Sequence, residues 1–306
     1  MIAIFSALTP VFLMIALGYI LKKRQLVSDA FWSPAEKVTY FLFFPALLLA
    51  NTAKAEFGEI AVTPMIWASC SGVLIISALT IWVRPRLALD GPAFTSVFQG
   101  TIRPNVYLGI AAAVALYDNA GLTLVSVPVA VIVPLVNILS VIVLVRHATQ
   151  SGEIPGWTQT LGPVARNPLI IACGLGALLN VTGIGLPPLV GPFLEILGRA
   201  ALPIGLLAVG AGLDFDAMRK AGRTVGLTTA TKLIALPTVT YLACLAFGVG
   251  GLSQTIVVLY AALPVSATSY VLARQMGGDT ALLAGTITAT TVFAMITMPI
   301  AVLLLN

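Results

Sequence analysis

An arginine, a proline and an asparagine stand side by side in the apolar string GTIRPNVYLG, at Arg103, Pro104 and Asn105. A guanidinium pairs with a carboxylate or phosphate through two parallel hydrogen bonds, and an asparagine amide bonds either a ligand or freed backbone groups. A proline inside a helix removes one backbone hydrogen bond and interrupts the helix. These residue types at this spacing predict an interrupted helix that binds a small anion.

A second proline, Pro264, stands in a comparable place near the other end of the chain, in LPVSATSYVLA. Each proline lies about twelve residues into an apolar stretch, which at 1.5 Å per residue is near the middle of a bilayer. The hydroxyl residues that follow the second proline join the candidate substrate site: Ser266, Thr268 and Ser269. Two unwound helices that cross at the prolines would direct free N–H groups toward an anion. The alternative is that each proline causes only a kink, stabilised by neighbouring helices.

The composition indicates that these elements lie in a lipid bilayer. Of 306 residues, 59% are hydrophobic and 9% are charged, and the mean hydropathy is +1.04, whereas soluble domains contain about 25% charged residues. The net charge of +5 is carried by short basic clusters between apolar stretches. That distribution is typical of membrane topology and not of a nucleic-acid-binding surface. The three cysteines occur singly, without metal-ligand spacing, so no metal site is predicted.

The pattern of apolar stretches predicts an all-α polytopic membrane protein. A bilayer-crossing helix needs roughly 20 apolar residues. Ten stretches meet this requirement, at about 2–21, 35–53, 64–83, 92–116, 119–145, 167–182, 189–212, 223–248, 252–276 and 280–305. The polar segment 146–166 is predicted to be a cytoplasmic linker between a first five-helix repeat, 1–145, and a second, 167–306.

The distribution of basic residues predicts the orientation. Twelve of the sixteen lysines and arginines fall on one side of the membrane in this topology. Because basic residues favour the cytoplasmic side, we expect both termini outside, in the inner (cytoplasmic) membrane. Basic residues follow the first apolar stretch and do not precede it, so we interpret that stretch as a retained span and not a signal peptide.

Similar strings recur in the two repeats. PVFLMIALGYIL, from Pro10, matches PLIIACGLGALL, from Pro168, at the proline and a Leu-Gly pair. FPALLLANTAKAEF, from Phe44, matches LPIGLLAVGAGLDF, from Leu202, at the proline, Leu-Leu-Ala and the final phenylalanine. Since each repeat holds an odd number of spans, the two repeats cross the membrane in opposite senses. Inverted repeats of this kind are typical of secondary transporters.

Three further polar residues lie within predicted spans: Lys232, Asn51 and Asn137. A charged residue at membrane depth indicates function by default. Lys232 is either a permanent cation, a structural partner for exposed backbone carbonyls or a coupling group, and the structural role is favoured. The two asparagines either face the substrate cavity or bridge helices. No acidic residue lies deep in the membrane near the two prolines, although sodium sites often include a carboxylate.

The order of several strings along nearly the whole chain resembles the auxin efflux carrier (PIN-like) family. The strings are LTPVFLMIALGYILKK, FFPALLLA, RPNVYLGI, NPLIIACGLG, LPIGLLAVGAGL, KLIALP and LPVSATSYVLARQMGGD. The resemblance implies a fold similar to that of the bile acid:sodium symporters, with a panel domain of helices 1, 2, 6 and 7 and a core transport domain of helices 3–5 and 8–10. It also implies that broken helices 4 and 9 cross at Pro104 and Pro264 and bind the substrate carboxylate there. Family members suggest a homodimer.

These features predict a secondary active transporter or uniporter that moves a small organic anion by elevator-type alternating access. The resemblance favours a carboxylate, either a dicarboxylate or an auxin-like acid. Proton coupling is favoured over sodium, because the residue after Pro264 is Val265 and the sodium ligands of coupled relatives have no match there.

Two alternatives remain at this level: a sodium-coupled symporter of a bile-acid-like or keto-acid anion, and an anion-binding membrane receptor without transport. An enzyme is not expected, because the one histidine, His147, lies in the linker and offers no base within the membrane. No cofactor is expected.

Overall fold

The computed structural model describes residues 2–54, 62–148, 168–220 and 222–305. Within these ranges the regular structure is helical, without a strand and with one isolated bridge. The α-helices are α1 (Ile2–Lys23), α2 (Asp29–Val38), α3 (Phe44–Lys54), α4 (Val62–Val83), α5 (Gly91–Ile102), α6 (Val106–His147), α7 (Pro168–Val181), α8 (Val190–Ala211), α9 (Phe215–Lys220), α10 (Gly222–Ala230), α11 (Leu236–Ala246), α12 (Gly251–Ala261), α13 (Thr268–Met276) and α14 (Thr280–Leu305). Turns of π-helix, Thr39–Phe43 and Thr231–Ala235, join α2 to α3 and α10 to α11.

In the described ranges, six helical segments are long and apolar enough to cross a membrane. They are Ile4–Lys23, Val62–Arg86, Val106–His147, Val190–Ala211, Gly222–Ala246 and Thr280–Leu305. The described part of the chain is therefore all-helical, as in a multi-pass membrane protein, and this part of the predicted fold is confirmed. The arrangement as ten spans in two inverted repeats stays a prediction. The predicted linker 146–166 lies, from residue 149 onward, outside the described residues.

Helix α6 is interrupted between the predicted spans 92–116 and 119–145. Asp118 has φ +49° and ψ −135°, and Tyr117 before it has φ −140°. Positive φ is uncommon for a residue other than glycine, and aspartate tolerates it better than most. Three residues later, a Cβ on Gly121 would collide with the carbonyl oxygen of Ala113. Glycine is therefore required where the chain turns back this closely.

The first of two compact units comprises Met1–Ile60, Tyr107–Ala130 and Ala165–Gly212. Within it, α1 and α8 approach until their backbones are almost in contact. A Cβ on Gly18 would collide with the carbonyl of Leu207, and one on Gly210 with the carbonyl of Ile15. Small residues at such contacts let membrane helices gain dispersion energy where no hydrophobic force drives them together.

The second compact unit comprises Ala61–Val106, Val131–Val164 and Leu213–Asn306. Within it, α4 packs on α11, and α14 packs on α5 and α9. Gly72 on α4 leaves no room for a Cβ beside the Thr240 side chain, so these helices also meet closely. This unit contains both Pro104 and Pro264. The predicted panel and core domains stay predictions.

Candidate functional site

The first interruption of the second unit lies between α5 and α6, at Arg103, Pro104 and Asn105. Arg103 is extended, with φ −81° and ψ 113°, because a following proline disfavours helical geometry. Its N–H still donates to the carbonyl oxygen of Gln99 at 3.0 Å. All three residues are buried, and Arg103 is only 6% exposed. A guanidinium is thus held inside the unit at the end of a helix.

The second interruption separates α12 from α13 and covers residues 262–267. An isolated antiparallel bridge pairs Pro104 with Val265. The N–H of Asn105 donates to the carbonyl oxygen of Pro264 at 2.8 Å, and the N–H of Ser266 donates to that of Arg103 at 3.3 Å. Because backbone groups in a membrane interior have no water to bond, this exchange stabilises both interruptions.

Thr290 on α14 supports the second interruption from the side. The N–H of Val265 donates to the Thr290 hydroxyl at 3.1 Å, and Val265 is fully buried. Thr290 was not among the predicted site residues. The run TITATT, residues 286–291, was the available signal, since four threonines on a membrane-spanning helix need hydrogen-bonding partners.

The side chains of the predicted site converge at the start of α13. Arg103 donates from Nη2 to the Thr268 hydroxyl at 3.2 Å, and the Thr268 and Ser266 hydroxyls lie 2.9 Å apart. Ser266 also accepts from two N–H groups: its Oγ from Thr268 at 3.3 Å and its carbonyl from Ser269 at 3.1 Å. The structure therefore brings Arg103, Pro104, Asn105, Pro264, Ser266, Thr268 and Ser269 together in one unit.

Two fully buried polar side chains of the second unit, close to these residues in the chain, have no hydrogen-bond partner within the described residues. They are the Gln99 amide, which lies one helical turn before Arg103, and the Ser269 hydroxyl, and both residues are 0% exposed. Buried polar groups are nearly always paired, so these two groups are candidates for a hydrogen bond to a ligand or an ordered water. Gln99 was not predicted as a site residue. Its place four residues before a mid-span arginine was the signal for it.

Lys232 belongs to the same unit and is also fully buried. It lies in the π-turn between α10 and α11, and its Nζ donates to the carbonyl oxygen of Ala261 at 2.9 Å. Ala261 is the last residue of α12, immediately before the second interruption. Lys232 and Pro104 line one small cavity. The bond joins Lys232 to a carbonyl at a helix end, and its role, structural or in coupling, stays a prediction.

The two asparagines lie apart from this cluster of contacts. Asn51 lies in the first unit, and its Nδ2 donates to the carbonyl oxygen of Leu47 in its own helix at 2.7 Å. Asn137 is half-buried on α6, in the second unit. Neither has a described hydrogen bond to a residue of the interruptions, so their assignment to the substrate site stays a prediction.

A cavity of about 520 Å³ in the second unit is bounded by α4, α5 and α10. Its lining includes Thr101, two residues before Arg103, and the two basic residues Arg86 and Arg223. Cations at the edge of a cavity raise the local concentration of anions. Among the described residues, no group of three or more histidine, cysteine, aspartate or glutamate side chains could hold a metal ion.

Comparison with known proteins decides the family. A model of the family described as membrane transport protein matches residues 3–161 and 157–302. The chain belongs to this family. It is the auxin efflux carrier (PIN-like) family that the sequence motifs indicated, so that prediction is confirmed. A family member described as an uncharacterized transporter, from Methanothermobacter thermautotrophicus, is similar to the chain, with 23% identity over 296 residues, or 95% of this chain and 94% of the relative.

Proposed function

We propose that the protein is a secondary active transporter or uniporter of a small organic anion, with a carboxylate as the recognised group. The observation that carries the proposal is the Arg103 guanidinium, buried at the paired interruptions of a membrane transport protein and bonded there to Thr268. A buried cation at this depth is costly and is retained where it has a task. Carboxylates fit the planar fork of a guanidinium through two parallel hydrogen bonds.

The helix ends support an anion in the same way. Helices α6 and α13 both begin at the interruptions, at Val106 and Thr268. The first N–H groups of a helix lack intrahelical partners and carry a partial positive charge. The N–H groups of Thr268 and Ser269 at the start of α13 already bond Ser266. The proposed donors to a bound carboxylate are therefore the Arg103 guanidinium, the Asn105 side chain and the positive end of α6 at Val106. We propose that α5–α6 and α12–α13 are the crossing broken helices of a ten-helix inverted repeat.

Transport then follows from an elevator-type movement of one domain against the other, which exposes the binding site to each side of the membrane in turn. The proposed coupling ion is a proton and not sodium. The absence of clustered carboxylates among the described residues supports this choice, since sodium sites are built from oxygen ligands and often include a carboxylate.

We also propose that the carrier lies in the inner membrane with both termini outside, as a homodimer. Ser28 lies between α1 and α2, on the side proposed to be cytoplasmic. In a cysteine-free background, Ser28→Cys is expected to resist an impermeant thiol reagent in intact cells and to react after permeabilisation. Labelling in intact cells would reverse the orientation. The mass of the purified protein in detergent, corrected for bound detergent, tests the dimer, and a monomer mass would contradict it.

The binding site is tested by thermal unfolding of the purified protein against a panel of mono- and dicarboxylates. A ligand at a hundredfold excess over its Kd stabilises the folded state by about 2.7 kcal/mol. We expect one class of carboxylate to raise Tm in the wild type and in Arg274→Ala, which removes an exposed arginine of α13. The same ligand is expected to raise the Tm of Arg103→Ala by a clearly smaller amount, because a tenfold or greater loss of affinity cuts the stabilisation to about half or less. A panel without any stabilising carboxylate would contradict the proposed substrate class.

A further inference from the structure

The buried amino group of Lys232 has no acidic partner among the described residues. None of the residues that line the cavity beside it is acidic, and its Nζ donates to the carbonyl oxygen of Ala261 at 2.9 Å. An ammonium group in a low-dielectric interior is costly unless it is paired or hydrogen-bonded. The negative partner that the structure offers is the C-terminal end of α12.

The C-terminal end of α12 carries a partial negative charge, as the C-terminal end of any α-helix does. The last carbonyl groups of a helix have no intrahelical donor, and the aligned peptide dipoles place about half a negative elementary charge there. In the second interruption, Pro264 has no N–H to donate, and the N–H of Val265 is used by Thr290. The Ala261 carbonyl therefore takes its donor from another helix, and Lys232 provides it.

The backbone around Lys232 is adapted to this contact. A turn of π-helix replaces the α-helix at Thr231–Ala235, and the N–H of Leu236 donates to the Thr231 carbonyl five residues earlier. Pro237 follows at once, and its ring cannot donate to the carbonyl four residues before it. Single π-turns inside membrane helices frequently occur at functional positions because they redirect one side chain.

Next to the ammonium group lies a cavity of about 10 Å³, which is the volume that holds roughly one water-sized sphere. Ser69 and Thr240 line it, and within the described residues their buried hydroxyl oxygens have no hydrogen-bond partner. Lys232, Ala261 and the two residues with unpaired hydroxyls thus line one small cavity, whose other walls are mostly apolar. Carbonyl and hydroxyl oxygen atoms, which these residues carry, are the type of ligand that hard cations prefer.

We propose that the Lys232 ammonium group is a built-in cation, which occupies the place that a coupling sodium ion takes at the broken-helix ends of other carriers. One ordered water in the adjoining cavity bonds Ser69 and Thr240. The positive charge that stabilises the end of α12 is then part of the protein itself. The carrier therefore needs no alkali cation to form its substrate site. This inference rests on the proposed function and extends it to the coupling ion.

Two substitutions of Lys232 separate the charge from the volume that the side chain fills. Lys232→Ala removes both and leaves a space lined by oxygen atoms, whereas Lys232→Met keeps most of the volume without a charge. Lys220→Ala, at an exposed lysine of α9 in the same unit, is the matched control. Thermal unfolding of each full-length protein is measured in sodium, potassium and choline chloride at equal ionic strength.

We expect wild type and Lys220→Ala to have the same Tm in all three salts. Lys232→Ala is expected to be less stable in choline and to recover by about 3 °C or more in sodium or potassium. Lys232→Met is expected to be less stable in every salt without recovery. Equal Tm values of Lys232→Ala across the salts, or a wild type that itself requires sodium, would overturn the proposal. Carboxylate binding is measured in a separate experiment. If the wild type bound no carboxylate, that result would contradict the proposed function but not the proposed role of Lys232.

Discussion

The two interruptions of the second unit differ in length, in chemistry and in how their helix ends are stabilised. The first is three residues long and carries its own cation, Arg103, next to Asn105. The second is six residues long and carries one serine, Ser266, but no charge of its own. The carbonyl of Arg103 accepts from Ser266, whereas the carbonyl of Ala261 accepts from Lys232. The first interruption contains its own charge, whereas the second depends on a charge and a hydroxyl from other helices, at Lys232 and Thr290.

The largest expected effect follows removal of the charge in the first interruption. A hydrogen bond to a charged group contributes about 1.5–3 kcal/mol, so Arg103→Ala is expected to weaken carboxylate binding at least about tenfold. Arg103→Lys keeps the charge but loses the planar guanidinium group. Its carboxylate affinity is expected to lie between those of the wild type and Arg103→Ala. Isothermal titration with the stabilising carboxylate measures the difference. If Arg103→Ala bound the carboxylate with wild-type affinity, the guanidinium would not be part of the binding site.

In the second interruption, the expected effect is on stability. Thr290→Val removes the acceptor of the Val265 N–H and leaves a buried donor unpaired, which costs about 1–3 kcal/mol. The matched control is Thr291→Val, because the Thr291 hydroxyl bonds only the Ile287 carbonyl within its own helix. A lower Tm for Thr290→Val than for Thr291→Val is expected. Equal Tm values would mean that the second interruption does not need support from α14.

Gln99, on the helix before the first interruption, is buried, but its amide has no described hydrogen-bond partner. If it bonds the substrate, Gln99→Leu weakens carboxylate binding by about fivefold, as expected for one neutral hydrogen bond of about 1 kcal/mol. The Tm of the ligand-free protein should not fall, since no internal bond is lost. Gln254→Leu on α12 is the control. A lower Tm of Gln99→Leu with unchanged carboxylate affinity would mean that Gln99 has a structural role and does not bind the substrate.

The smallest expected effect comes from the contact that joins the interruptions through side chains. Thr268→Val removes the hydroxyl that lies 3.2 Å from Arg103 Nη2. The guanidinium keeps its charge but loses one positioning bond, so carboxylate affinity should fall by only about threefold to fivefold. Thr255→Val, whose hydroxyl bonds Gly251 within α12, serves as control. A loss as large as that of Arg103→Ala would show that Thr268 itself binds the anion.

Much of this architecture follows from local chemistry that a sequence displays. Prolines at residues 104 and 264 predict helix ends because they remove a backbone donor wherever they stand, and the helices do end there. The membrane class follows in the same way from composition. The partners of the freed backbone groups do not follow from local chemistry.

The bonds from Lys232 to Ala261 and from Val265 to Thr290 join residues 29 and 25 positions apart. A sequence indicates that such bonds are needed but not which residue makes them, because packing of whole helices decides it. The π-turn at Lys232 escaped prediction for a related reason, since Pro237 indicates a disturbance but not the direction of the side chain. Gln99 looked like one polar residue among several until its burial was known.

Uptake of the stabilising carboxylate into proteoliposomes tests most directly whether the interruptions form a transport site. Wild type and Arg274→Ala are expected to give saturable uptake of the radiolabelled anion, and Arg103→Ala to give little above protein-free liposomes. Replacement of sodium by choline should leave wild-type uptake unchanged. Binding of the carboxylate by wild-type protein without any uptake would contradict the proposed function and indicate a receptor.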